Sequence, residues 1–199
     1  MTDPGWQRTR FPWRLGILSG AVAAVLAGAV VAVGATGGPP PLSGGYGAYN
    51  PLPERMPAPS TAFLDPDGRP IKLDAYRGSL VLLNVWATWC APCVKELPSL
   101  DRLQAALGSD RFRVVLVSVD RKGLEVAAPF LKRVGVSHLR TAADPKSELA
   151  RALGAAGLPT SILLDRDGRI IGKMLGDAEW DSPSAKALIL HYLNKPEET

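Results

Sequence analysis

The sequence predicts one α/β domain carried behind a single membrane-spanning helix. Three observations predict it. Residues 80–119 read as strand, helix, strand, the order of a parallel βαβ unit. Residues 157–174 read as two strands joined by a tight Asp-Gly turn. An apolar run from Leu15 to about Thr36 precedes both.

The chain has 199 residues and a net charge of +4. Setting aside the apolar N-terminal part leaves about 140 residues, enough for one core-bearing domain. Lys and Arg are scattered among Asp and Glu, with no basic stripe interleaved with aromatics, which argues against nucleic-acid binding. Two cysteines cannot form an all-thiolate zinc site, and His138 and His191 lie far from them without paired spacing, so no metal site is expected.

In chain order, residues 1–14 are polar and carry Arg8, Arg10 and Arg14. No charge then appears before Glu54. Some 20 apolar residues at ~1.5 Å rise span a bilayer core of roughly 30 Å. The flanking arginines place residues 1–14 in the cytoplasm and the rest of the chain outside. The expected topology is therefore a single pass, with the C-terminal domain outside the cytoplasm. The alternative is a signal peptide cleaved after Val33-Gly34-Ala35, but the run exceeds the usual ~7–15 residues of such a segment. Residues 37–59 alternate Pro with Gly and polar residues and read as an extended linker.

From residue 60 the pattern becomes globular. Phe63–Ile71 reads as two short strands around an Asp-Gly turn. Leu80–Trp86 is continuously apolar, as in a strand buried on both faces. A helix starts near Pro92 and runs to about Leu107, with Leu97, Leu100, Leu103 and Leu107 at helical spacing and a kink expected at Pro98. Phe112–Val119 is a second buried strand. Residues 123–135 read as a helix, Leu139–Thr141 as a short strand, and Ser147–Leu153 as a helix that Ser147 could cap. A final helix covers about Pro183–Leu193. The Asp-x-Asp-Gly runs at Asp65 and Asp165 lack the Glu of a calcium loop, holding Tyr76 and Gly176 there, and read as hairpin turns.

The chemistry-bearing stretch is Trp89-Cys90-Ala91-Pro92-Cys93, which holds the only two cysteines. A dithiol at this spacing, entering a helix, suits thiol–disulfide exchange: one thiolate attacks a disulfide and the second releases the mixed disulfide. A structural bridge closing so short a loop would stabilise weakly. Cys90, at a helix N-terminus, is the expected attacking thiol, and Cys93 the resolving one. Glu96 lies one helical turn beyond Cys93 and could accept its proton; the competing reading is a solvated residue beside Lys95.

Asn84-Val85-Trp86-Ala87-Thr88-Trp89-Cys90-Ala91-Pro92-Cys93, with Lys95-Glu96-Leu97-Pro98, Gly157-Leu158-Pro159-Thr160 and Asp167-Gly168, resembles the thioredoxin superfamily, in its membrane-anchored TlpA/ResA/CcmG-like branch. Ala178-Glu179-Trp180 makes the likeness to TlpA the nearest. The resemblance covers roughly residues 57–195. It implies a thioredoxin-like fold, a central mixed sheet with helices on both faces, with the branch's N-terminal hairpin and a helix-and-strand insert over residues 120–155. It implies that the membrane is the bacterial inner membrane and the outside the periplasm. It implies no cofactor beyond the redox-active Cys90–Cys93 disulfide. Pro159 matches the cis-proline that faces the dithiol, leaving the Leu158 backbone free to pair with a substrate strand. Pro92 tunes the dithiol, Trp89 shapes the docking rim, and Trp86 packs under the loop. Thioredoxins carry a buried Asp where this chain has Asn84, which cannot titrate; in the ResA-like branch a Glu at position 96 takes over that task.

The implied partners are disulfides of exported proteins. Likeness to TlpA points to a Sco-type metallochaperone and the CuA-bearing oxidase subunit; likeness to CcmG and ResA points to apocytochrome c. A DsbD/CcdA-type protein would supply electrons. Two rival functions use the same fold: an oxidant that donates its disulfide to folding proteins, and a Cu(I)-binding chaperone, which usually needs Cys-x3-Cys and a nearby His. Cys90 also lacks the preceding Pro-x3-Thr-x2 of a peroxiredoxin.

Overall fold

The computed structural model describes residues 37–43 and 47–195. The expected membrane helix over residues 15–36 lies outside the described residues, and among these no helix is long and apolar enough to cross a membrane.

Among the described residues, eight strands form one mixed sheet: β1 (Asn50–Pro57), β2 (Phe63–Leu64), β3 (Pro70–Ile71), β4 (Leu80–Trp86), β5 (Phe112–Ser118), β6 (Thr141–Ala143), β7 (Thr160–Leu164) and β8 (Arg169–Leu175). Their spatial order is β1-β8-β7-β4-β5-β6-β2-β3. β4, β5 and β6 are parallel, as the βαβ reading requires. β7 lies antiparallel to β4, with β8 and β1 antiparallel beyond it. Among the described residues, four α-helices accompany the sheet: α1 (Ala91–Leu107), α2 (Leu124–Arg133), α3 (Glu148–Ala152) and α4 (Pro183–Asn194).

β4 sorts its side chains by parity, because successive residues of a strand point to opposite faces. Leu80, Leu82 and Trp86 join a core with Leu97, Leu100 and Leu103 of α1, Leu131 of α2 and Leu188 of α4. Val81, Leu83 and Val85 join a second core with Leu149 of α3, Phe63 and Leu73. Asn84 has the parity of Leu82 and Trp86, so it is delivered to the face that α1 covers. Trp86 is fully buried, as expected, and its Nε1 donates to Thr141 Oγ1 at 3.1 Å.

Three expectations are corrected. The first concerns the linker. Residues 37–59 are not all spacer: Leu42 and Tyr49 are buried, and β1 forms the sheet edge on β8. Pro51, Pro53 and Pro57 are compatible with an edge strand, where one side of the backbone has no ladder partner to lose. The proline pattern was therefore ambiguous between spacer and edge. Tyr49 lies directly over Gly172, where any Cβ would fall 2.0 Å from its hydroxyl. That hydroxyl bonds Tyr192 of α4 at 3.1 Å.

The second concerns the α3 cap. Ser147 occupies the N-cap in a left-handed conformation (φ 54°) and its side chain caps nothing. Asp144 does so instead, its carboxylate accepting from Glu148 N and Ala150 N, both at 2.9 Å. Asp144→Ala should therefore destabilise the domain by about 1–2 kcal/mol, read as a lower urea midpoint, while Ser147→Gly should be neutral or stabilising.

The third is a register shift: the short strand is Thr141–Ala143, not Leu139–Thr141. α1 runs unbroken through Pro98. Both Asp-x-Asp-Gly runs are hairpin turns, in which Asp65 Oδ1 and Asp165 Oδ1 each accept from the backbone N–H two and four residues on.

Candidate active site

The site forms where β4 ends and α1 begins. Val85 pairs with Thr160, so the start of antiparallel β7, with Leu158-Pro159 just before it, lies at the same end of the sheet. The Leu158–Pro159 bond is cis. Pro159 is buried and Leu158 half-buried.

Cys90 is the N-cap of α1, and Pro92 sits in its first turn. A proline is tolerated there because the first N–H groups of a helix have no intrahelical partner. Cys90 and Cys93 form a disulfide with Cα atoms 5.2 Å apart. The Cys93 N–H donates to Cys90 Sγ at 3.3 Å. Cys90 keeps 5% of its surface and Cys93 none. No acidic residue lies in the first turn to oppose a thiolate on Cys90. Trp89 is the most exposed large apolar side chain among the described residues, at 70%.

Glu96 is not solvated. It is 2% exposed, one turn beyond Cys93 on the covered face of α1. Three donors hold it: Asn84 Nδ2 on Oε1 at 2.8 Å, and Trp180 Nε1 and Ala178 N on Oε2 at 3.0 and 3.1 Å. Burial nevertheless dominates and raises its pKa to about 7, with the nearby Asp177 charge adding to the rise and the three donors opposing it. Asp177 is buried and pairs with the exposed Lys95 at 2.8 Å. Lys95 and Glu96 thus face different ways from adjacent positions of one helix.

Several contributors escaped the sequence reading. Asn84 cannot titrate, but its amide reaches both Glu96 and, at 2.9 Å, Ser161 Oγ on the neighbouring strand. Trp180 was singled out only as part of a likeness; its indole is a ligand of Glu96. Ser99 ties the 178–180 loop to α1, accepting from Trp180 N at 3.0 Å and donating to Glu96 O at 2.8 Å. Asp120, just after β5, accepts from Thr88 N, Thr88 Oγ1 and Ser118 Oγ at 2.7–2.9 Å, and so fixes the loop leading into Cys90. The available signal for Asp120 was its place at the carboxyl end of a parallel strand, where α/β proteins concentrate functional groups. His138 lies elsewhere, bonded through Nδ1 to Asp101 at 3.0 Å.

Residues 53–189 match the Redoxin family. The chain belongs to that family. Among curated relatives, thiol-disulfide oxidoreductase ResA of Bacillus thuringiensis subsp. konkukian is 31% identical over 138 residues, 69% of this chain and 75% of the relative. ResA of Bacillus subtilis is 29% identical over 164 residues, covering 78% and 87%. Among solved structures, a protein from Chlorobium tepidum described as a putative thiol:disulfide interchange protein DsbE superposes with a TM-score of 0.64 at 34% identity, covering 72% of this chain and 99% of that one. StoA from Bacillus subtilis gives 0.51 at 30%, covering 61% and 92%. The fold is thioredoxin-like, and the protein is a thiol–disulfide oxidoreductase of the ResA/DsbE/StoA type. Its chemistry runs on the cysteine pair alone, without a cofactor.

Proposed function

We propose that the protein is a membrane-tethered, periplasm-facing reductase of disulfides in exported proteins. The observation that carries the direction is Glu96, a buried carboxylate one turn behind Cys93. A strong oxidant is one whose reduced form is stabilised. Here the only hydrogen-bond donor to Cys90 Sγ among the described residues is one backbone N–H, and the carboxylate buried one turn behind Cys93 disfavours negative charge on that second thiol. The reduced pair is accordingly the less stable form and passes its electrons on.

Cys90 thiolate attacks a substrate disulfide, forming the Cys90–substrate bond and releasing the first substrate sulfur as thiolate. Glu96 takes the proton from Cys93. Cys93 thiolate attacks Cys90 Sγ, forming the intramolecular disulfide and releasing the second substrate sulfur. Two electrons move from the pair to the substrate; the proton held on Glu96 and the one Cys90 gave up to water on ionising convert the two substrate thiolates to thiols. In this scheme Pro92 holds the turn between the thiols, while Trp89 and the Leu158-Pro159 backbone receive the substrate segment. The apolar run at 15–36 and its flanking arginines support an inner-membrane anchor. The likenesses to TlpA and to ResA and CcmG support a Sco-type metallochaperone, the CuA subunit or apocytochrome c as substrates, with a DsbD/CcdA-type donor.

The test is the reduction potential of the Cys90–Cys93 pair, measured on the full chain in detergent against dithiothreitol or glutathione. A value near −270 mV, like thioredoxin, is expected; one near −120 mV, like DsbA, would replace the reductase by an oxidant of folding proteins. A soluble fragment for the same purpose should start near Gly37 rather than Pro57, because Leu42, Tyr49 and β1 belong to the packed domain.

A further inference from the structure

A wide groove of about 930 Å³ opens at Thr88 and Trp89, the two residues before Cys90. It continues over Val119, Val126 and Pro145, which give it an apolar floor. Its remaining walls carry four cations: Arg121 and Lys122 from the loop after β5, and Lys146 and Arg151 from the start and end of the α3 region. All four are exposed. None makes an ion pair among the described residues. Among the described residues the one carboxylate lining the groove is Asp120, whose oxygens are engaged by Thr88 and Ser118. Four positive charges less one negative leaves +3. Glu125 and Glu148, on the adjoining helices, do not line it.

Along α1, by contrast, Lys95 pairs with Asp177 at 2.8 Å and Arg102 with Asp181 at 2.6 Å. The groove beside Trp89 thus gathers four exposed cations without an ion pair, where the two cations along α1 each have one. Salt-bridged cations would contribute little to recognition; unpaired ones beside a reactive sulfur raise the local concentration of anionic partners.

We infer that this groove is the docking channel for the partner protein and that it selects partners whose reactive cysteine is flanked by an acidic segment. The inference deepens the proposed reductase reading by naming a substrate class. Trp89 and the apolar floor would hold the segment next to the cysteine. Arg121, Lys122, Lys146 and Arg151 would meet its carboxylates. A basic flank would be repelled along the same path.

The test uses the full chain in detergent and two synthetic peptides. Both carry the same disulfide-bonded core; one has Asp and Glu flanks, the other Lys and Arg. Exchange is followed by quenching with an alkylating agent. At ~20 mM salt the acidic peptide should react about tenfold faster or more, and the ratio should fall towards one near ~0.5 M, where the Debye length shrinks to a few ångströms. Lys122→Glu/Arg151→Glu should invert the preference, and Lys122→Gln/Arg151→Gln should abolish it. The rate with neutral 2-hydroxyethyl disulfide should be the same in all three proteins, which shows that the fold and dithiol are intact. Equal rates for the two peptides in the unmodified protein would overturn the inference, as would a preference that survives charge reversal. So would groove residues shielded by phosphatidylglycerol vesicles without any peptide preference, which would make the groove a lipid contact. If the potential proves oxidising, the same ratio is read with oxidised protein and dithiol peptides, so failure of the reductase reading leaves this one separately decidable.

Discussion

Cys93→Ser protein, mixed with an oxidised partner, should accumulate as a covalent adduct through Cys90, while Cys90→Ser forms none. The asymmetry follows from position. Cys90 is the N-cap of α1 and retains a sliver of surface; Cys93 is one turn in and fully buried. Only the first can meet a disulfide in another protein. In the unmodified protein the mixed disulfide is short-lived, because Cys93 lies within bonding distance of Cys90 and attack is intramolecular; effective molarities for such well-placed groups reach ~10⁵ M or more. Serine keeps the shape of Cys93 but cannot attack sulfur, so release must await an outside thiol. Turnover should fall by roughly 10³-fold or more in either variant. Non-reducing electrophoresis and intact mass distinguish them, since only Cys93→Ser retains the partner. An adduct on Cys90→Ser and none on Cys93→Ser would reverse the assigned order. The same trap, applied in cells, would recover the physiological partner and decide between copper-site and apocytochrome substrates.

How much of this was legible in the sequence depends on the distance over which each feature is encoded. The βαβ unit, the Asp-Gly hairpins and the thiols at a helix start are local patterns, and the structure has them where the residues place them. The Glu96 cradle is not local. Asn84, Glu96, Ser161, Ala178 and Trp180 come from β4, α1, β7 and the loop before α4. Helical spacing put Glu96 behind Cys93, yet nothing near it showed whether water or protein would cover it. Trp180 decides that, from 84 residues away. The α3 cap failed for a related reason. Ser147 is a good N-cap by residue type, but a left-handed backbone turns it aside and Asp144, three residues earlier, reaches the free N–H groups. β1 was missed because proline depletion is a rule for central strands, and this strand is an edge.

Glu96→Gln should slow release of the mixed disulfide by about 10²-fold above pH 7 and flatten its pH profile. With a pKa raised to about 7, the carboxylate is half ionised near neutrality and can both take the Cys93 proton and return it during recharging. The release rate of the unmodified protein should therefore rise through pH 7 as Glu96 ionises, and that limb should be missing in the variant. A role confined to packing predicts a different result, in which the rate falls equally at every pH. Stability moves the opposite way, and the sign separates the two roles further. The folded pKa lies above the unfolded value, from 4.5 to about 7, so the native state binds the proton more tightly. Native stability is thus greatest below pH 4.5 as far as this group is concerned, declines between 4.5 and 7, and stays lower above 7. The full difference is on the order of 3 kcal/mol. Gln cannot ionise, so the decline should vanish in urea titrations of Glu96→Gln at pH 5 and pH 8. The cradle can accept it. Trp180 Nε1 and Ala178 N need an oxygen, which Gln presents, and Asn84, whose Oδ1 is buried without a partner, can turn its amide to receive the new N–H. A variant that is at least as stable as the unmodified protein at pH 8 but slow to release substrate would show that a buried charge is retained here at a cost to stability because proton transfer needs it.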